Sequence, residues 1–238
     1  MKKVILYLVI IALILCCAGC SKGGVTQEEY DNQARESEKI AQSDDFEAPA
    51  PVSGSEYGYD VETLYEPGLY KVGRDIPAGE YVLYAEENGR VFVSTDPDYY
   101  NNAIYSDAFG LSSAAMGVGS IVPAIYGGSS VITIYEGEYL YFEGAIAIQS
   151  DAWYKVYYTD VYSTINSTVK VGYDLPAGIY RAANVRSDGQ DAYYIIYESS
   201  RRETVVSEGY IEDNIYIVAT KEGECLKLSN CQIVDQVQ

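Results

Sequence analysis

Histidine is absent from the sequence. Without it, Ser–His–Asp and Cys–His catalysis and the usual zinc-ligand sets are excluded together. Basic residues are scarce, 16 Lys and Arg against 35 Asp and Glu, for a net charge of −19. Such a surface repels phosphate, so no nucleic-acid partner is expected. No apolar run reaches the roughly 20 residues that a spanning helix needs. The longest, VILYLVIIALILCC, covers fourteen residues from Val4 to Cys17. Phenylalanine (4) and tryptophan (1) are rare, but there are 26 tyrosines. Tyrosine favours strands, where its ring packs and its hydroxyl stays wet.

The fourteen-residue run follows a basic MKK and precedes AGC and the polar SKGG. A basic start, a short apolar stretch and small residues at the end form a secretory leader. CAGC resembles the bacterial lipobox, with Cys17 in the place usually held by an aliphatic residue. That resemblance implies cleavage after residue 19, acylation of Cys20 (palmitate among the chains), and a protein held on the extracytoplasmic face of the cell membrane. Acyl chains bury about 0.8 kcal/mol per CH2, so several make a stable anchor. Without residues 1–19, 14 basic residues face 35 acidic ones, a net charge of −21.

Residues 20–60 are sparse in apolar side chains, rich in charge, and end in APAP and SGS. Such a segment buries too little to offset chain entropy and reads as a disordered, flexible stalk. From Leu64 the texture changes to short Tyr- and β-branched-rich runs, among them EYVLYA, SVITIYE, EYLYFE and AWYKVYYT, separated by Gly, Asp, Asn and Pro. This spacing predicts an all-β fold of sandwich type, jelly-roll or Ig-like. VGRDIPAGEY (72–81) returns as VGYDLPAGIY (171–180), and EGEYLYFEGAIAI (136–148) aligns with EGECLKLSNCQIV (222–234). Two tandem modules are therefore expected, 61–160 and 161–238, the first carrying an insertion near 101–128. Insertions in repeats map to loops, often the binding ones.

In the duplicated phrase, Pro77 fixes φ for a turn, Gly79 admits a positive φ, and Asp75 accepts backbone N–H groups. Asp174, Pro176 and Gly178 repeat these roles. The phrase holds one carboxylate and one phenol and no nucleophile, so it reads as a turn and not as a reactive site. DIPAGxY after a short V-G strand, followed by a GEYLxL-type segment, is similar to a module of secreted and lipid-anchored surface proteins of Gram-positive bacteria. GEYLYF (137–142) and GECLKL (223–228) occupy the second place. The resemblance implies a surface β module and brings no activity or cofactor with it.

Candidate chemistry elsewhere is thin. Glu136, Glu138, Glu222 and Glu224 stand beside turns and read as solvated charges, and no lysine is marked as buried. TDPDYYNN (95–102) makes Asp96 and Asp98 weak calcium candidates, although the EF-hand glycine and distal glutamate are missing. An oxidising compartment favours pairing Cys225 with Cys231, whereas a hairpin turn at Ser229-Asn230 would keep them apart. Tyr99, Tyr100, Tyr105 and Tyr126 lie in or beside the insertion and are candidate contacts for a glycan or polypeptide. The sequence thus points to a lipid-anchored, non-enzymatic binding or envelope-interaction protein with no cofactor. The runner-up is a cell-wall enzyme, or an accessory subunit of one, using paired carboxylates.

Overall fold

The computed structural model describes residues 46–110, 128–158, 166–184, 191–212, 214–219 and 221–237, with parts of 31–39. The leader, Cys20, Tyr126 and most of the expected insertion lie outside the described residues.

The class is all-β. In the first half the strands are β1 (Gly68–Lys71), β2 (Gly79–Ala85), β3 (Asn88–Ser94), β4 (Ala103–Gly110), β5 (Gly128–Ile134), β6 (Tyr139–Glu143) and β7 (Ile146–Gln149). The second half supplies β8 (Ser167–Lys170), β9 (Gly178–Asn184), β10 (Ala192–Tyr197), β11 (Val205–Ile211), β12 (Asn214–Ala219), β13 (Cys225–Ser229) and β14 (Cys231–Val237). The pairing order repeats strand for strand. β1-β6-β3-β4 is matched by β8-β13-β10-β11, and β5-β2-β7 by β12-β9-β14. Each half encloses one apolar core between its two sheets: Tyr70, Tyr81, Val91, Ile132, Leu140 and Phe142 in the first, Val169, Tyr180, Ile196, Leu226, Leu228 and Ile233 in the second.

The halves are nevertheless not separate bodies. β5 and β8 pair in parallel at Ser130 and Thr168. That pairing fuses three strands of the first half and four of the second into one seven-stranded sheet, β11-β10-β13-β8-β5-β2-β7.

The duplicated phrase does bend the chain, but one step earlier than Pro-Ala-Gly. Asp75 N–H donates to the Lys71 carbonyl (2.9 Å), and Gly73 N–H to that of Ile76 (2.8 Å). The Asp75 carboxylate accepts the Lys71 N–H at 2.9 Å. Asp174 does the same for Lys170 at 2.8 Å. The positive φ shared by both copies belongs to Gly73 and Gly172, +92° and +93°; Gly79 is positive as well, at +153°, whereas its counterpart Gly178 is not. The tyrosine closing each phrase is buried and donates to the proline carbonyl, Tyr81 to Pro77 and Tyr180 to Pro176.

Three local expectations change. AWYKVYYT is not a strand: Ser150–Val156 is a helix, with Asp151 in its first turn and Lys155 in its last. Trp153 is buried against Tyr84 and Tyr157 and outweighs the strand propensity of its neighbours. Ser229-Asn230 is not a hairpin, because β13 and β14 lie in different sheets. Asn230 instead takes φ +56°, as Gly144 takes +66° at the equivalent crossing, a conformation open to Gly and Asn. Cys225 and Cys231 are buried and free.

Finally, residues 46–60 are not part of a loose stalk. Phe46 lies on Tyr139, Ala48 packs against the first core, and Val52 bridges to Leu64. Tyr59 joins Val82, Val131, Ile148 and Trp153 on the outer face of the β5-β2-β7 strands.

Candidate functional site: a buried charge cluster at the junction

In this acidic chain four basic residues, Lys170, Arg201, Arg202 and Lys227, meet carboxylates of the first half where the halves join. Asp107 on β4 points between the sheets, and its side chain is 1% exposed. Lys227 on β13 donates to Oδ1 at 2.6 Å. Arg202, in the loop after β10, donates to Oδ2 at 2.8 Å. Ser130 Oγ and Thr168 Oγ1, the two residues in register across β5 and β8, donate to the same Oδ2 at 2.7 and 2.9 Å. The Arg202 guanidinium lies over the rings of Tyr105 and Tyr197. It also donates to Ser130 Oγ and to the Val131 carbonyl.

Burial by itself would push the Asp107 carboxyl up. The charges of Lys227 and Arg202, with hydrogen bonds from Lys227 and Ser130, instead hold it far below the usual carboxylate range. Burial would likewise push Arg202 and Lys227 down, and Asp107 raises both. All three are therefore ionised at neutral pH, with side chains 1% (Asp107), 3% (Arg202) and 14% (Lys227) exposed. A carboxylate so held is neither nucleophile nor general acid or base.

The loop after β10 grips the first half with successive residues. Ser200 donates to Glu80 at 2.5 Å, and its carbonyl accepts the Thr133 N–H at 3.2 Å. Arg201 forms a fork on Glu138 at 2.5 and 2.9 Å and also reaches the Thr133 carbonyl. Glu80 further accepts from Lys170 at 2.6 Å. Burial would raise Glu80, and the bonds from Lys170 and Ser200 leave it lowered. At the far end, Tyr154 of the helix donates to Asp174 of the second turn phrase at 2.9 Å. The duplicated aspartate thus serves turn and junction together.

Glu138 is not a solvated turn charge. It is buried, paired with Arg201, and caps its own turn by accepting the Tyr135 N–H at 2.8 Å. Glu224 is its buried counterpart and accepts the Lys221 N–H. The candidate contact residues also move inward. Tyr99 is buried and stacked on Tyr141, with centroids 3.9 Å apart. Tyr100 lies against Phe92, and the half-buried Tyr105 donates to the Thr133 carbonyl. The first residues of the expected insertion are strand β4, so the length difference falls on 111–127, outside the described residues. Asp96 and Asp98 organise their own loop. Asp96 accepts from Asp98 N–H and Asn102, and Asp98 from Asn101 and Ser37. No cluster of three or more metal-ligating residues occurs among the described residues.

Sequence reading missed the junction, although two signals pointed there. Arg201-Arg202 is the one Arg-Arg pair in an acidic sequence. Aligning the repeats also places Lys227 opposite Tyr141, a charge where the other copy has a ring. Comparison with family models, curated proteins and solved structures finds no match to this chain.

Proposed function

We propose that this is a lipid-anchored, extracytoplasmic surface protein that acts by binding, without catalysing a reaction. The anchor rests on MKK, the apolar run and CAGC, with Cys20 as the acylated residue. Its partners are the membrane, through lipid, and a glycan or polypeptide of the envelope. What carries the non-enzymatic reading is the use of the junction carboxylates: Asp107, Glu138 and Glu80 each take a cation from the second half and are consumed in joining the halves. The enzyme alternative needs a carboxylate pair open to substrate, whereas Asp107 and Glu138 are buried and the half-buried Glu80 is held by Lys170 and Ser200.

Tyrosines stand in solvent elsewhere. Tyr210 on β11 is 69% exposed and contacts Tyr193 across the strand pair. Rigid aromatic rings with a wet hydroxyl are good contacts for sugars and polypeptides. These two rings form the proposed contact surface. Two experiments test the reading. Palmitate labelling of the full-length chain in a bacterial host is expected to vanish in Cys20→Ser. Pull-down on cell-wall fragments is expected to weaken in Tyr210→Ala with Tyr193→Ala. Labelling that survives Cys20→Ser removes the anchor, and binding indifferent to both tyrosines removes that surface.

A further inference from the structure

The junction between the halves is a worked example of how one copy of the seven-strand unit docks on another, and the two strands that correspond to it each have one strand neighbour among the described residues. β5 takes β8 as its neighbour. The equivalent of β5 is β12, and that of β8 is β1. Among the described residues, β12 pairs only with β9, and β1 only with β6. We propose that β1 and β12 are complementary docking edges for a second copy of this chain, and that residues 46–50 are a guard closing the β1 edge. The proposal is independent of the anchoring and binding reading above.

Side chains across the real junction have been replaced in matched pairs at the free edges. Ser130 meets Thr168, and their counterparts by strand register are Ile215 and Leu69, apolar facing apolar. Asp107 meets Lys227, and their counterparts are Gly209 and Tyr141. Both members of that ion pair are gone, so docking strands no charge at this place, and a ring over a strand glycine packs well. Two counterpart pairs do not favour association. Lys170 meets Glu80, and their counterparts are Lys71 and Ile179, a charge facing an apolar side chain. Counting from the end of β3 and of β10, Arg201 corresponds to Asp98, so Glu224 would face a carboxylate where Glu138 meets an arginine. The contact is therefore weak until that charge is answered.

The guard occupies the place that β5 takes beside β8. Phe46 lies on the outer face at Tyr139, whereas Ala48 touches the inner core. Pro49 fills the space into which a Gly68 side chain would point, 2.7 Å from that Cβ. The chain thus wraps the β1 edge, and proline offers no N–H to an approaching strand, a common protection of sheet edges. Upstream of the guard, Ser37 donates to Asp98, the residue that corresponds to Arg201, at 2.8 Å.

The test uses the chain beginning at residue 21, which contains every described residue, with the guard released by Phe46→Ser, Ala48→Asp and Pro49→Gly. Sedimentation velocity is expected to show the weight-average mass rising without a plateau as concentration rises, because a head-to-tail contact does not close. Adding Asp98→Arg is expected to strengthen the association at least about ten-fold, a change of about 1.4 kcal/mol. Should the triple variant lose its near-ultraviolet dichroism, Pro49→Gly with Ser37→Ala and Asp98→Arg makes the same test with Phe46 and Ala48 in place. A folded variant that stays monomeric with Asp98→Arg present, or one that stops at a dimer, overturns the proposal.

Discussion

The outer faces of the two equivalent four-stranded sheets have the same backbone and opposite chemistry. In the first half that face is aromatic: Tyr99, Tyr139 and Tyr141 with Leu69 and Phe92, under Phe46 of the N-terminal segment. In the second half the same positions present Lys227 and Thr168, with Arg202 standing five residues past β10 as Tyr99 stands five past β3. There the cover is β4 of the first half, which brings Asp107. A face is thus written for what lies on it. The strand order is common to both copies, and a handful of outward positions decide whether a copy receives a strap of chain or a neighbouring unit.

The comparison is broken most severely at Asp107. Asp107→Ala leaves Lys227 and Arg202 buried without their counter-charge and is expected to cost about 3–5 kcal/mol in denaturant unfolding. Its pH signature has a definite sign. The folded carboxyl lies below its ordinary value, so its contribution is present above the unfolded pKa of about 4 and is lost as pH falls below it. An unfolding series from pH 7 to pH 2 should show that acid loss in the wild type and a shallower one in Asp107→Asn. The aromatic face answers with a smaller number. Tyr99→Ala removes a ring stacked on Tyr141 and is expected to cost about 2–3 kcal/mol by the same measurement, with little dependence on pH or salt. A salt-sensitive loss at Tyr99, or a pH-insensitive one at Asp107, would erase the contrast between the faces.

The turn phrases are where the copies should agree. Gly73→Ala and Gly172→Ala each force a side chain to φ near +90°, at about 1–2 kcal/mol apiece. The two losses, read from midpoints of thermal melts, are expected to match. A large difference would mean that the turns are alike in sequence only. Smallest in energy is the behaviour of the thiols. Burial pushes Cys225 and Cys231 up to about 12, so a thiol reagent at pH 8 is expected to label neither until the chain unfolds.

Much of the architecture was legible because it is local. Strand-rich runs, the twice-used V-G-x-D-[IL]-P-A-G phrase and the EGE turns are each fixed by neighbours within about ten residues, and all recur in the fold. The helix at Ser150–Val156 was not legible, since Trp, Tyr and Val favour strands and only the pocket around Trp153 reverses that preference. The crossing at Asn230 was misread as a hairpin because a change of sheet keeps the same alternation of side chains. The junction was least accessible. Asp107 and Lys227 are 120 residues apart, and a charge that will be buried has the same letter as one in solvent.

The most direct test of the claim that buried charges make one body of two halves uses the single tryptophan. Trp153 is buried in the first half and reports that half alone, whereas far-ultraviolet dichroism reports both. In the wild type the two probes should trace one denaturant transition, as cooperative units do. In Asp107→Ala they should separate, with two midpoints. Probes that still coincide in Asp107→Ala at the wild-type midpoint would contradict the account.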